Sequence, residues 1–371
     1  MSSNKTPRIK IALRMVTLSA VVFFLSLQVL VWRHNHPSVR MKSASEIAKL
    51  PLSVDSYPCL RIERRCSPEP VRAALQQCLP ALDNDAAVEQ YEVDLRSGAF
   101  ILRKTDLFVP DRIPLALTRA YRTGDRHSRA FGDGSNHPFD IFPYGDQFPY
   151  TYMELLLGDD STIHYSRISE GTSYLDFVAE HNGSAGSIFQ KSQVRWRGDH
   201  WDLTFRDGTV FRFPEAYRAK RGADGALTGI RNPQGDEITF VRDSRHNLIS
   251  LTSPSHHQIH FIYDDHDRIS SASDDTGSSL QYSYNPNGDL SEVRKGGRDQ
   301  WLYSYDAYGM TTIQDADKHQ VLLNEYSLGR ISSVKVEDGG TYYFNYLVTR
   351  TGKVEGAMVT EPTGKQTIFR F

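Results

Sequence analysis

The chain has 371 residues, with 43 Lys and Arg against 45 Asp and Glu and a formal net charge of −2. That balance excludes the strongly basic character that nucleic-acid binding requires, so no nucleic-acid partner is expected. Tyrosine (19) and phenylalanine (18) outnumber methionine (6), and aromatics set among Gly, Asp, Ser and Thr predict β-structure joined by tight turns.

Residues 1–10 read as a short polar tail. The run IALRMVTLSAVVFFLSLQVLVW (11–32) holds about 20 residues, enough to cross a bilayer as a helix. Its only charge, Arg14, lies near the start, and Trp32 lies where an interfacial aromatic belongs. No small-x-small cleavage site follows it, so an uncleaved single-pass transmembrane helix is expected. Basic residues flank both ends of the apolar core: Lys5, Arg8, Lys10 and Arg14 before, and Arg33, Arg40, Lys42 and Lys49 after. A long C-terminal domain translocates despite that tie, which favours a cytosolic tail and an outward domain.

Residues 33–90 read as a linker carrying all three cysteines, Cys59, Cys66 and Cys78. In SPEPVRAALQQCL (67–79), Ser67 as N-cap and Pro68 at the first helical position predict a short helix. Cys66 and Cys78 would sit about 16–18 Å apart along it, too far for a disulfide. Cys59 and Cys78 lie symmetrically about the Ser67-Pro68 turn, so a fold-back could join them; three free thiols are the alternative. No CxxC spacing points to zinc.

Residues 91–215 read as a β-rich N-terminal domain. Within it, FDIFPYGDQFPYTYMELL (139–156) crowds aromatics among Pro and Gly. Two readings stand for Phe142, Tyr144, Phe148, Tyr150 and Tyr152. They pack the sheet, or they line a surface for a glycan or a peptide. WRGDHW (196–201) holds Arg-Gly-Asp between two tryptophans, and a hairpin turn is the expectation.

From 216 onward the chain repeats. Phe240, Phe261, Tyr282 and Tyr303 are each 21 residues apart, and Leu323 and Phe344 continue the series. A second aromatic recurs at Tyr263, Tyr284, Tyr305 and Tyr346, followed by Asp264, Asn285 or Asp306. A hydrophobic step follows at Leu248, Ile269, Leu290, Met310 and Ile331. Aromatics at i and i+2 share one face of a strand, so each unit is a β-hairpin that buries its apolar face only by stacking on its neighbours.

Catalytic and metal-binding patterns do not converge. DDHD (264–267) offers four coordinating groups, but its counterparts PNG, AYG and SRHN are turns without a ligand set, so turn chemistry is expected. His256 and His260 would stand about 13 Å apart on a strand, too far for one metal. GDGSNHP (132–138) lacks a G-x-S-x-G frame and RNPQGDE (231–237) is no phosphate loop. No catalytic residue, metal or cofactor is expected, and the chain reads as non-enzymatic.

HFIYDDHDRI (260–269), QYSYNPNGDL (281–290) and LYSYDAYGM (302–310) resemble the YD repeat of the RHS family, which the teneurins share. NEYSLGRI (324–331) keeps Gly329-Arg330-Ile331 but reads as lacking the YD pair. Residues 93–134 are similar to the β-rich domain that often precedes RHS repeats, so the resemblance covers about 91–371. It gives Phe261, Tyr263, Asp264, Tyr282, Tyr284, Tyr303, Tyr305 and Asp306 structural roles in the repeat. In the family many such units spiral into a hollow shell, and bacterial members often carry a toxic domain released by a DPxGL-type motif, which is absent here.

The resulting expectation is mainly β: an open, partial YD-repeat sheet, a preceding β domain and one transmembrane helix. The role it implies is that of a structural or binding scaffold on the cell envelope, held in the inner membrane with its bulk on the periplasmic or extracellular side. A toxin-delivery shell component without its toxin, or a carbohydrate-binding or carbohydrate-active protein, are the alternatives. KQTIFRF (365–371) reads as an edge strand able to pair with itself or another YD chain.

Overall fold

The structure, a computed structural model, describes residues 59–63, 89–158, 162–183, 187–216, 222–296 and 299–371. The apolar run 11–32, the helix expected over 67–79, and Cys66 and Cys78 lie outside them. Among the described residues no helix is long and apolar enough to cross a membrane. The segment read as linker contributes a strand: β1 (Cys59–Glu63) pairs antiparallel with β2 (Glu89–Asp94), placing the backbone of Cys59 opposite Asp94.

β2 continues into β3 (Ala99–Val109) and β4 (Leu115–Arg122), and the short strand Ser135–Asn136 completes this first sheet. β3 is buried along nearly its whole length although its sequence, AFILRKTDLFV, is one-third charged or polar. A register slip between Thr105 and Leu107 leaves Asp106 as the extra residue of a bulge, and a bulge re-aims the side chain it carries.

The strands from Phe142–Gly145 to Gln366–Arg370 form a second sheet, each pairing antiparallel with the next in chain order. The pairing crosses residue 215 without a break, since Val210–Pro214 pairs with Gly229–Arg231. This corrects the open sheet expected from the sequence in one respect: the strand order is that of a closed barrel.

The repeat unit is the hairpin foreseen. Gln258–Tyr263 pairs with Ile269–Asp274, and a slip between Ile262 and Tyr263 brings Tyr263 opposite Ile269. The same slip recurs at Tyr284, Tyr305 and Tyr326. Phe261, Tyr282, Tyr303 and Phe344 are all buried. One assignment moves. Leu323 is only half-buried, whereas Leu322 and Asn324 are buried. Asn324 therefore occupies the aromatic position and Tyr326 the second one, because a one-residue change of phase exchanges the faces of a strand. Asn324 holds its place by donating to the Met310 carbonyl at 2.9 Å.

The second tyrosine staples consecutive units. Its hydroxyl donates to the carbonyl of the hydrophobic step one unit back: Tyr263 to Leu248 (2.9 Å), Tyr284 to Ile269 (2.6 Å), Tyr305 to Leu290 (2.8 Å) and Tyr326 to Met310 (2.8 Å). In the last unit the slip falls later, between Leu347 and Val348, and the buried Tyr346 hydroxyl has no hydrogen-bond partner among the described residues. Tyr284→Phe should therefore cost about 1–2 kcal/mol, while Tyr346→Phe should leave stability unchanged or raise it. Urea unfolding of the two variants side by side checks this; equal losses would contradict the staple.

The acids of the opening turn serve the backbone. Asp264 Oδ1 accepts from the amides of His266 and Arg268, both at 2.9 Å, while Arg268 Nε reaches Asp264 Oδ2 at 2.9 Å. Asn285 and Asp306 accept from their own turns in the same way. Asp243 does likewise one unit earlier. Side-chain acceptors of this kind replace the missing ladder bonds at a turn.

The first sheet packs on the buried face of the repeats, and both belong to one hydrophobic core. Successive hairpins present a backbone group to it or to the small hairpin Ser128–Asp133 beside it. The amides of Ile269 and Ile331 donate to the carbonyls of Ala130 (2.7 Å) and Gly98 (2.9 Å), and the Gly288 carbonyl accepts from Asp133 (3.1 Å). The Met310 amide donates to the Tyr121 hydroxyl at 3.0 Å; burial pushes that phenol up to about 12. Gly132 has φ +84°, and a Cβ there would strike the Gly288 carbonyl oxygen, so glycine is required on both grounds. At the far strand ends Asp111 accepts from Ser253 and from both the amide and hydroxyl of Ser255.

Candidate binding surface

The aromatic-rich segment divides on folding. Phe139 is buried, Phe142 and Tyr150 are half-buried, and Tyr144, Phe148 and Tyr152 are exposed. Phe148 is the extreme case, with 76% of its surface in water. A single exposed apolar residue is ordinary, but a contiguous group is not. Here the loop 145–151 meets a second loop, 168–177, that the sequence reading had not marked. It adds Ile168, Tyr174 and Leu175, all exposed, with Leu175 at 67%.

A run of rings supports the two loops from beneath. Tyr150 meets Tyr174 at 6.0 Å, Tyr174 meets Trp196 at 5.6 Å, Trp196 meets Trp201 at 5.0 Å, and Trp201 meets Phe177 at 5.6 Å. The two tryptophans of WRGDHW are cross-strand partners in a hairpin, with Arg197 N donating to His200 O at 2.9 Å. Its Arg-Gly-Asp therefore sits in a turn whose ring pair is part of this foundation.

Arg167 organises both loops. Its guanidinium donates to the carbonyls of Ser169 (3.1 Å), Tyr150 (3.1 Å), Ser173 (3.2 Å) and Glu170 (3.0 Å), and to Asp176 at 2.8 Å. A planar fork with five donors suits this task better than any other side chain. Asp146 fixes the tip of the first loop by accepting from Thr151 N at 2.7 Å and Tyr152 N at 3.2 Å. Burial would raise its pKa, but those backbone bonds outweigh burial and hold the carboxyl below the usual range. The exposed apolar groups thus stand on an ordered frame, which suits them to bind without a large ordering cost.

A separate cleft of about 320 Å3 opens beside the joins between units, lined by Lys104, Trp301, Gln300, Lys295, Asp315 and Asp317 among others. Lys104 Nζ lies 3.0 Å from the centre of the Trp301 ring, so that ring face is already covered by a cation. Among the described residues no group of three or more His, Cys, Asp or Glu side chains is placed to hold a metal ion. Cys59 and Cys78, the expected disulfide, cannot be placed together, because Cys78 is outside the described residues.

The fold and these contacts define a class, a β-hairpin repeat protein with a β domain docked against its repeats. Residues 224–354 match the Teneurin YD-shell family, and residues 90–157 match a domain of unknown function, DUF6531. No curated protein matches the sequence. Among solved structures, a crystal structure of TcdB2-TccC3-Cdc42 is similar at 12% identity over 81% of this chain and 17% of that chain, with a TM-score of 0.31. The Tc holotoxin pore of Photorhabdus luminescens is similar at 12% over 75% of this chain and 16% of that one, with a TM-score of 0.30. A porin-like protein from Bacteroides uniformis is similar at 12% over 66% and 96%, with a TM-score of 0.19. The chain spans less than a fifth of the Tc chains it matches, and scores this low carry no weight for fold or function.

Proposed function

We propose that this chain is a β-scaffold that binds a protein partner through the loops 145–151 and 168–177. The observation that carries the reading is the exposure of Phe148, Ile168, Tyr174 and Leu175 on two loops that Arg167 ties together. Aliphatic side chains beside the rings favour an apolar protein surface over a glycan, which stacks on flat rings alone. The YD-shell match supports a scaffold role. Anchoring of that scaffold by residues 11–32, at the outer face of an inner membrane, belongs to the same proposal.

Placing a photo-crosslinking phenylalanine at position 148 of the full chain, in the cells that make it, tests this. A discrete crosslinked protein is expected, and Leu175→Ser should lower its yield about tenfold, the effect of a single buried anchor. Diffuse labelling, or a yield indifferent to Leu175, would remove the basis for the proposal.

A further inference from the structure

Beside the loops, on the outward side of the strands Tyr152–Leu156 and Thr162–Arg167, three polar side chains form a hydrogen-bonded row that the binding reading does not use. His164 and Glu154 are cross-strand partners. His164 Nδ1 lies 2.6 Å from Glu154 Oε1, and His164 Nε2 lies 3.1 Å from Ser166 Oγ. His164 and Ser166 are two apart on one strand and so face the same side. A carboxylate only accepts, so Nδ1 carries the ring proton towards Glu154. In the neutral ring Nε2 is then the acceptor for the serine hydroxyl.

We propose that Glu154, His164 and Ser166 form an acyl-transfer site for uncharged carboxylic esters, with Ser166 as nucleophile, His164 as general base and Glu154 as the residue that positions the ring. Nucleophile, base and orienting acid within hydrogen-bond reach are the requirement for activating a serine. Their supports are rigid. The strand carrying His164 and Ser166 is paired on both sides. Tyr165, between them, is fully buried and shares a 2.8 Å hydrogen bond with Ser192. His181 Nδ1 meets the His164 carbonyl at 2.8 Å, and the Tyr152 ring stacks on the imidazole with centroids 5.8 Å apart.

Charge in the neighbouring row completes the site. Glu180 is the cross-strand partner of Ser166, and its carboxylate is held by Lys191 Nζ at 2.8 Å and Gln193 Nε2 at 3.0 Å. The acid is thereby paired, since Lys191 Nζ bonds to it and to Asn182 Oδ1 at 2.6 Å, which limits the negative charge beside the serine. His164 is 55% exposed, so a substrate reaches it without any movement of the chain.

The chemistry balances without a further reagent. Ser166 Oγ bonds to the ester carbon as its proton passes to His164 Nε2. The ester C–O bond then breaks, and His164 returns that proton to the departing alcohol. Water attacks the acyl carbon, giving a proton to Nε2 that passes back to Oγ as the acid leaves. The net change is ester and water to acid and alcohol.

The test uses the full chain, a fluorophosphonate probe and p-nitrophenyl acetate. A single adduct on the peptide holding Ser166 is expected, absent in Ser166→Ala. His164→Gln should slow both reactions about 100-fold, the usual size of a general-base contribution. Glu154→Gln should lower kcat about tenfold with KM unchanged, as for a group that acts through the ring rather than on substrate. Leu328→Ser, at an exposed repeat turn that belongs to neither site, should react like the parent chain. No adduct at Ser166 in the folded protein, or equal labelling of the parent and His164→Gln, would overturn the proposal. The adduct map of the parent chain decides even where a variant does not fold.

Discussion

Replacing Arg119 by methionine should lower the unfolding free energy by about 3–5 kcal/mol, the cost of stranding one partner of a buried ion pair. Arg119 is among the most buried side chains in the protein. Its Nε and Nη2 reach the two oxygens of Asp106 at 2.6 and 3.1 Å, and Nη2 also donates to the Tyr303 hydroxyl at 3.0 Å. Tyr282 donates to the same Asp106 at 2.9 Å. The two repeat units that carry tyrosine rather than phenylalanine at the first aromatic position are thus the two whose hydroxyls meet this pair. Arg119→Lys should fail almost as badly, because an ammonium cannot make the two-pronged contact. Changing Asp106 to leucine together with Arg119→Met should recover part of the loss, since no uncompensated charge remains. Urea denaturation followed by tryptophan fluorescence measures all three. A loss below about 1 kcal/mol for Arg119→Met would show that water reaches the pair.

The second large effect is acid sensitivity through His137. This histidine is buried in a box of Phe131, Phe139 and Phe261, with ring centroids 5.7–6.4 Å away. Neither ring nitrogen has a hydrogen-bond partner among the described residues. Burial lowers its pKa; Asp140, 3.8 Å from Nε2, pulls the other way and Arg242 adds to the lowering. The folded state therefore binds the proton less readily than the unfolded chain, whose histidine titrates near 6.5. The stability it contributes is full above that pH and is lost as pH falls from there towards the folded value. The slope is at most about 1.4 kcal/mol per pH unit for one proton. Asp140 acts in the same sense at lower pH. Burial raises its pKa, but His137 and Arg242 outweigh burial and hold the carboxyl low. His137→Phe completes an all-phenylalanine box, so its stability at neutral pH should match or exceed that of the parent. Its profile between pH 6.5 and 5 should be flatter. Unfolding measured across that range decides the matter, and parallel profiles would assign the acid response to other groups.

The repeat was legible because each unit writes its two inward aromatics at a fixed interval, and physics gives such a pattern one solution, stacked hairpins. It failed locally at 322–326. There Asn324 stands where the aromatic should be, and its amide does by a hydrogen bond to Met310 what a ring does elsewhere by packing. The nearest apolar neighbour, Leu323, drew the phase off by one. The turn role of Asp264 was equally legible, because its counterparts are turn residues without ligands. What could not be read is whatever depends on residues distant in sequence. Asp106 and Tyr282 are 176 positions apart, and nothing local in LRKTDLF marks its aspartate as a core residue. The exposed apolar surface was half visible: Phe148 and Tyr144 stand out among Pro and Gly, whereas Ile168 and Leu175 sit in an unremarkable polar loop. Arg167, which holds that surface together, follows only from the fold. The Glu154–His164–Ser166 row spans two strands and carries no G-x-S-x-G signature.

Repeat arrays ordinarily gain and lose copies by duplication, because each unit touches only its neighbours. The docking of the first sheet and of the small hairpin Ser128–Asp133 removes that freedom here. Ala130, Asp133, Tyr121 and Gly98 each engage a different hairpin, at Ile269, Gly288, Met310 and Ile331 in turn. Duplicating or deleting one unit within that span would shift every later hairpin against its partner and leave Asp106 and Arg119 facing the wrong rings. The sheet therefore works as a gauge cut for a fixed number of teeth. Over this stretch the copy number is inherited as a unit with the domain before it, and drift in length is confined to segments that the gauge does not touch.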